Sequence, residues 1–182
     1  MSDRDATMSV GRANLLAIAW LPLSALLTIG PFAVLWDSER IYLALPAATD
    51  LRIAIPVLLV SVVLHEGLHA IGFLTFGRAS RQAVRVGFQR RTLTPYASCT
   101  APINARAYRA TALLPGAVLG ALPVLLGWLL GSGGMVLYGW AMLAMAGGDL
   151  AAVWAIRDVP SAVPVLDHPS RVGCQVRAQP AS

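Results

Sequence analysis

The chain is 182 residues long, 57% hydrophobic and 13% charged, with a mean hydropathy of +0.65, whereas an ordinary soluble domain carries roughly a quarter charged residues. That composition excludes an ordinary soluble globular domain and makes the lipid bilayer the expected surroundings. The net charge of +5 comes from fourteen basic residues, all of them arginine, against nine acidic ones. In so apolar a chain this excess is assigned to membrane topology, and no nucleic-acid partner is expected.

Residues 13–36 run without a charged side chain, long enough for one membrane-crossing helix of about 20 residues. The run ends in Leu35 and Trp36 followed by Asp37, with no small-residue cleavage site, so it is read as a retained span rather than a removed signal peptide. A second span is expected over 53–76, interrupted only by His65, Glu66 and His69. In the loop 77–107 that follows, Val84, Val86 and Phe88 alternate with Arg85, Gly87 and Gln89, and a β-prone run, Thr92 to Ser98, comes after Arg90 and Arg91. This pattern predicts a short β-hairpin against the membrane face. From Ala110 to Gly148 the chain is uncharged, too long for one span, and Gly131-Ser132-Gly133-Gly134 is a turn signal that divides it into spans over about 108–130 and 135–156. The tail 157–182 holds Pro160, Pro164, Pro169 and Pro180 and is expected to be extended, docked or loose. The tryptophans at 20, 36, 128, 140 and 154 are expected as interfacial anchors or packing.

Twelve of the fourteen arginines lie before the first span, in the loop 77–107 with the start of the third span, or in the tail, and two lie in 37–52. The positive-inside bias then places both termini and the long loop in the cytoplasm. The expected fold is an all-α protein of the cytoplasmic (inner) membrane, a single membrane-embedded domain over 1–182 with about four transmembrane helices and a cytoplasmic β-hairpin between the second and third.

His65-Glu66-Gly67-Leu68-His69 has the pattern HExxH. On a helix the two histidines, four positions apart, share one face a turn apart, so both imidazoles can reach one Zn²⁺ ion. Glu66, about 100° round the helix, is placed beside a metal-bound water rather than on the metal. In the zinc-hydrolase scheme that water becomes acidic and the glutamate accepts its proton. The alternative is helix packing by polar residues. Against it, a carboxylate at membrane depth costs a few kcal/mol or more unless paired, and the chain has no lysine to pair it.

A catalytic zinc site needs a third protein ligand, and outside the motif the acidic residue within a span is Asp149. Counting back from Arg78 and Arg157 puts His69 and Asp149 at about 14 Å and about 12 Å from the cytoplasmic ends of their helices. Gly147 and Gly148 are expected to let the fourth helix approach another backbone closely. Alternatively, Asp149 is a helix-end residue that caps or pairs with Arg157. His168 is a ligand only if the tail folds back, and otherwise lies in a solvated turn. Asn104 stands either as a substrate or oxyanion contact or as the N-cap of the third span. Pro115 leaves a backbone carbonyl free at about the depth of the site, opening a water or substrate path or merely kinking the helix. The two cysteines lack metal-site spacing, and Cys99 is read as a reduced cytosolic thiol.

On His65 to His69, Ala107 to Pro115, Gly148-Asp149 and Val165-Leu166-Asp167-His168-Pro169 with Gly173, the chain resembles a bacterial membrane family of zincin peptidases of unassigned function. More distantly it is similar to the site-2 protease type of intramembrane metalloprotease, although Gly-Gly-Asp-Leu stands where those enzymes have Leu-Asp-Gly, with no preceding Asn-Pro. The resemblance implies a zinc peptidase with His65, His69 and Asp149 as ligands and Glu66 as base, acting on a membrane protein or peptide. The competing expectation is a non-catalytic metal-binding scaffold, sensor or small transporter. An extended substrate is expected to add a strand to the hairpin around 84–98.

Overall fold

The computed structural model of the chain describes residues 4–89, 94–168 and 171–177. A short strand, β1 (Arg4–Met8), leads into α1 (Val10–Trp36), whose start is capped by the Ser9 side chain accepting from the Arg12 N–H. The connection 37–52 is not a bare loop: it carries α2 (Glu39–Thr49), after which the Asp50 side chain accepts the Arg52 N–H and opens α3 (Leu51–Thr75). The expected hairpin follows as β2 (Val84–Gln89) and β3 (Thr94–Cys99), paired antiparallel with Val86 opposite Ala97. Residues 92 and 93 of the expected second run lie outside the described residues.

The third apolar helix starts just after β4 (Ile103–Asn104) and comes in three pieces, α4 (Ala105–Pro115), a π-helical segment (Gly116–Ala121) and α5 (Leu122–Leu130). Gly131 closes it in the left-handed conformation, φ 66°, where glycine carries no Cβ penalty. The fourth is not one straight span: α6 (Gly133–Met145) and α7 (Gly147–Ala155) meet at a 41° bend. Three helices are therefore long and apolar enough to cross a membrane, or four if the bent pair counts as one. The protein is a membrane protein by this measure, with the helices running close to the expected limits.

The all-α expectation needs correction at the two ends of the chain. The tail forms β5 (Pro164–Asp167) and β6 (Val172–Val176), which join β1 and β4 in an antiparallel sheet of order β1-β6-β5-β4. Ala6 sits opposite Cys174, and Asp167 opposite Cys174 on the other side of β6. Of the prolines that argued for loose chain, Pro160 precedes β5 and Pro164 is its first residue, where a missing N–H is tolerated, while Pro169 and Pro180 lie outside the described residues. One face of the sheet is buried against the ends of α3, α4 and α7, through Ala6, Ile103, Val165 and Cys174 on Phe73, Tyr108, Ala112 and Ile156. This apolar core at one end of the bundle fixes the C-terminal strands relative to the helices.

Gly173 has φ 117°, and a Cβ there would collide with the Ala6 carbonyl oxygen of the neighbouring strand. Gly173→Ala is therefore expected to cost about 1–3 kcal/mol, read as a lower thermal midpoint of the detergent-solubilised protein. An unchanged midpoint would contradict the β1–β6 pairing.

Candidate metal centre

His65 and His69 lie on one face of α3, their rings 4.9 Å apart and nearly perpendicular at 79°. Their Nε2 atoms face Asp149 of α7: His65 Nε2 is 3.1 Å from Oδ2, and His69 Nε2 is 3.2 Å from Oδ1. One ligand atom from each residue falls within 4.8 Å of the others. Asp149 does not pair with Arg157, whose guanidinium lies on Asp158 and the Trp154 carbonyl.

The bend between α6 and α7 puts Asp149 in the first turn of a new helix. Breaking a helix frees carbonyls, and the Trp20 indole of α1 donates to that of Leu143 at 2.7 Å, as a backbone acceptor away from water requires. A Cβ on Gly147 would lie 3.0 Å from Ala17 Cα, so this glycine lets α7 press against α1. Gly148 has open space around its Cα. The close approach expected of both glycines is thus made by one of them, and to α1 rather than to the histidine helix. At the far end of α7, Arg109 of α4 donates to the Ile156 carbonyl at 2.6 Å, a cation on a helix C-terminus.

His69 is held from behind. Its Nδ1 lies 3.1 Å from the Thr111 carbonyl oxygen, and with the proton on Nδ1 the Nε2 lone pair is left facing the cluster. In a regular helix the Thr111 carbonyl would accept from residue 115, but residue 115 is proline and has no N–H. The carbonyl freed by Pro115 is thus the one that orients His69. Gly72 makes the approach possible: a Cβ there would lie 2.8 Å from Thr111 Cγ2. Gly72 and Thr111 carried no signal in the sequence as parts of this site.

The donor set fits a divalent metal such as zinc, two imidazole nitrogens and one carboxylate. Asp149 Oδ2 is buried, 3.1 Å from His65 Nε2, with no hydrogen-bond donor of its own among the described residues. An ion among the three side chains would satisfy this oxygen together with both imidazoles.

Glu66 Oε2 accepts the Ala97 N–H of β3 at 2.7 Å. Thr100 pairs with Ala83 of the facing chain, so the alternate residues 95, 97 and 99 direct their backbone groups away from β2. That edge offers few donors: Pro95 has none, the Ala97 N–H goes to Glu66, and the Cys99 N–H goes to Asp167 Oδ2 at 3.0 Å. The expected free edge for strand addition is therefore already occupied by carboxylates, with the carbonyls of the same residues left as acceptors.

Two spaces meet at this edge. A cavity of about 120 Å³ is lined by His69 and Asp149 on one side and by Tyr108, Thr111, Ala97 and Asp167 on the other. An open groove of about 880 Å³ runs between β3 and the C-terminal strands, lined by Phe88, Tyr96, Cys99, Leu166 and Gln175 among others. Ala97 and Asp167 line both. Burial pushes the Asp167 carboxyl above the usual range, against the pull of the Cys99 N–H and the Tyr108 hydroxyl. The two thiols are outside the cluster. Burial raises that of Cys99 and pushes Cys174 up to about 12, which keeps both protonated at neutral pH.

The remaining sequence candidates fall elsewhere. Asn104 occupies the N-cap position of α4 without a side-chain cap bond, and it does not line either space. Pro115 is buried and acts on the site through the Thr111 carbonyl. His168 sits at the β5–β6 turn, accepting the Arg171 N–H on Nδ1 and lying 3.9 Å from Asp5. It is not part of the His65, His69, Asp149 group.

No curated protein and no solved structure matches the chain. A family model does, over residues 58–163, which is more than half of the chain and holds both histidines, Glu66 and Asp149. The chain belongs to the family described as "putative zincin peptidase".

Proposed function

We propose that this protein is a zinc-dependent endopeptidase of the membrane, with His65, His69 and Asp149 holding the ion and Glu66 acting as general base. The observation that carries this reading is the convergence of the three side chains on one point within 4.8 Å, with the glutamate of the same motif one residue away. Zinc, when bound, supplies an acidified water and a Lewis acid for a carbonyl. His69 is pre-oriented by the Thr111 carbonyl, and Asp149 by the start of α7. Glu66, with Oε2 held by the Ala97 N–H, takes the proton of the attacking water on its other carboxylate oxygen and returns it to the leaving amine.

The substrate is a peptide segment that reaches the site in extended form, because a helical segment hides its carbonyls in its own bonds. The groove between β3 and the C-terminal strands is of peptide size and leads to the cavity beside the cluster. A peptide lying there would donate its N–H groups to the carbonyls of the β3 edge. The arginine distribution supports a cytoplasmic position for this face and for both termini, in the cytoplasmic membrane.

Two outcomes test the reading. Detergent-purified protein is expected to bind about one zinc per chain, retained in Glu66→Gln and lost in His65→Ala and Asp149→Ala, as read by elemental analysis. No zinc in the wild type after zinc is supplied would refute the centre. Against a library of unfolded membrane-protein peptides, chelator-sensitive cleavage is expected, and Glu66→Gln is expected to lower it by about 10²- to 10⁴-fold. Cleavage at the wild-type rate by that variant would end the assignment of Glu66 as base.

A further inference from the structure

Asp167 belongs to β5, far along the chain from the HExxH helix, and the site described above does not use it. Yet its carboxylate is one of two that occupy the free edge of β3. Asp167 Oδ2 accepts the Cys99 N–H at 3.0 Å, and Glu66 Oε2 accepts the Ala97 N–H at 2.7 Å, two residues along the same edge. It also stands where the groove meets the cavity beside His69 and Asp149.

The two carboxylates are mounted differently. Asp167 sits opposite Cys174 in a four-stranded sheet whose buried face packs on the ends of three helices. The β2–β3 hairpin has no strand partner besides itself among the described residues, and a two-stranded ribbon alone is marginally stable in water. The sheet thus grips the edge of a hairpin that is otherwise held by its packing on α3 and by Ala83 and Cys99 in the shared core. Burying a carboxylate is costly where a solvated N–H could be met by water from the groove, so the contact does more than satisfy one amide. We infer that Asp167 is a positioning residue of this centre: through the Cys99 N–H it fixes the free edge of β3, and through Ala97 it fixes the Glu66 carboxylate beside the His65, His69 and Asp149 cluster. The Tyr108 hydroxyl, which hydrogen-bonds Asp167, braces it from α4. The functional weight of this step rests on the reading of Glu66 as base, but the mechanical coupling does not.

The test is backbone amide exchange at single-residue resolution on the full chain in detergent, loaded with zinc. Asp167→Ala is expected to speed exchange at both Cys99 and Ala97 by about tenfold or more, with the amides of α3 and of the four-stranded sheet unchanged and zinc still bound. Asp167→Asn keeps an acceptor oxygen and is expected to restore protection at both. Cys99→Pro removes the other half of the bond at an edge position that tolerates proline, and is expected to loosen Ala97 in the same way should Asp167→Ala fail to fold. Protection of Ala97 that survives loss of the Asp167–Cys99 bond in whichever of these variants folds would overturn the proposal. So would failure of Asp167→Asn to rescue. Neither readout depends on turnover, so the peptidase reading and this coupling can fail separately.

Discussion

Proline at 115 leaves the Thr111 carbonyl without its helical donor, and at a buried residue such a carbonyl must find another. It finds His69 Nδ1 at 3.1 Å. One missing N–H therefore sets the tautomer of an imidazole, turns its Nε2 towards Asp149 and ties α3 to α4 at Gly72. The same constraint acts on the other side of the cluster, where the break between α6 and α7 frees the Leu143 carbonyl and the Trp20 indole takes it. Defects in two helices, each satisfied by a side chain from a third element, bring two imidazoles and a carboxylate to one point.

That point is coupled to the end of the bundle that carries the sheet and the hairpin. The HExxH helix ends at the sheet built from the two chain termini, and the hairpin β2–β3 lies between them. Glu66 faces the hairpin and Asp167 faces it from the sheet, so the base and the groove share one strand. Water and an extended peptide would approach along the same groove.

Much of this was legible in the sequence because the signals were local. HEGLH places two imidazoles on one helical face by its spacing alone, and uncharged runs mark apolar helices whatever they pack against. Asp149 was reachable by counting residues from the ends of helices that run in the same direction. The β-alternation at Val84, Val86 and Phe88 found the hairpin. What was not legible depends on contacts distant in sequence. The π-helical segment and the 41° bend sit in runs whose composition is uniformly apolar. The sheet was missed because β6 gains its partner from residues 4–8, more than 160 positions away, and because proline at 164 reads as a break when it is the first residue of a strand. Asp167 meets Cys99 across 68 residues, so nothing near it announces a role. Gly147 and Gly148 look equivalent in sequence, but only the first meets another helix.

The central claim is that one metal ion is held by two imidazoles and the Asp149 carboxylate. X-ray absorption at the zinc edge on the loaded, detergent-solubilised protein tests it most directly. The account predicts two imidazole nitrogens at about 2.0–2.1 Å with oxygen completing the shell at about 2.0–2.2 Å, and no sulfur at about 2.3 Å. It also predicts that Asp149→Asn changes the oxygen shell or releases the ion. A sulfur shell, or an imidazole-free spectrum indifferent to Asp149, would contradict it.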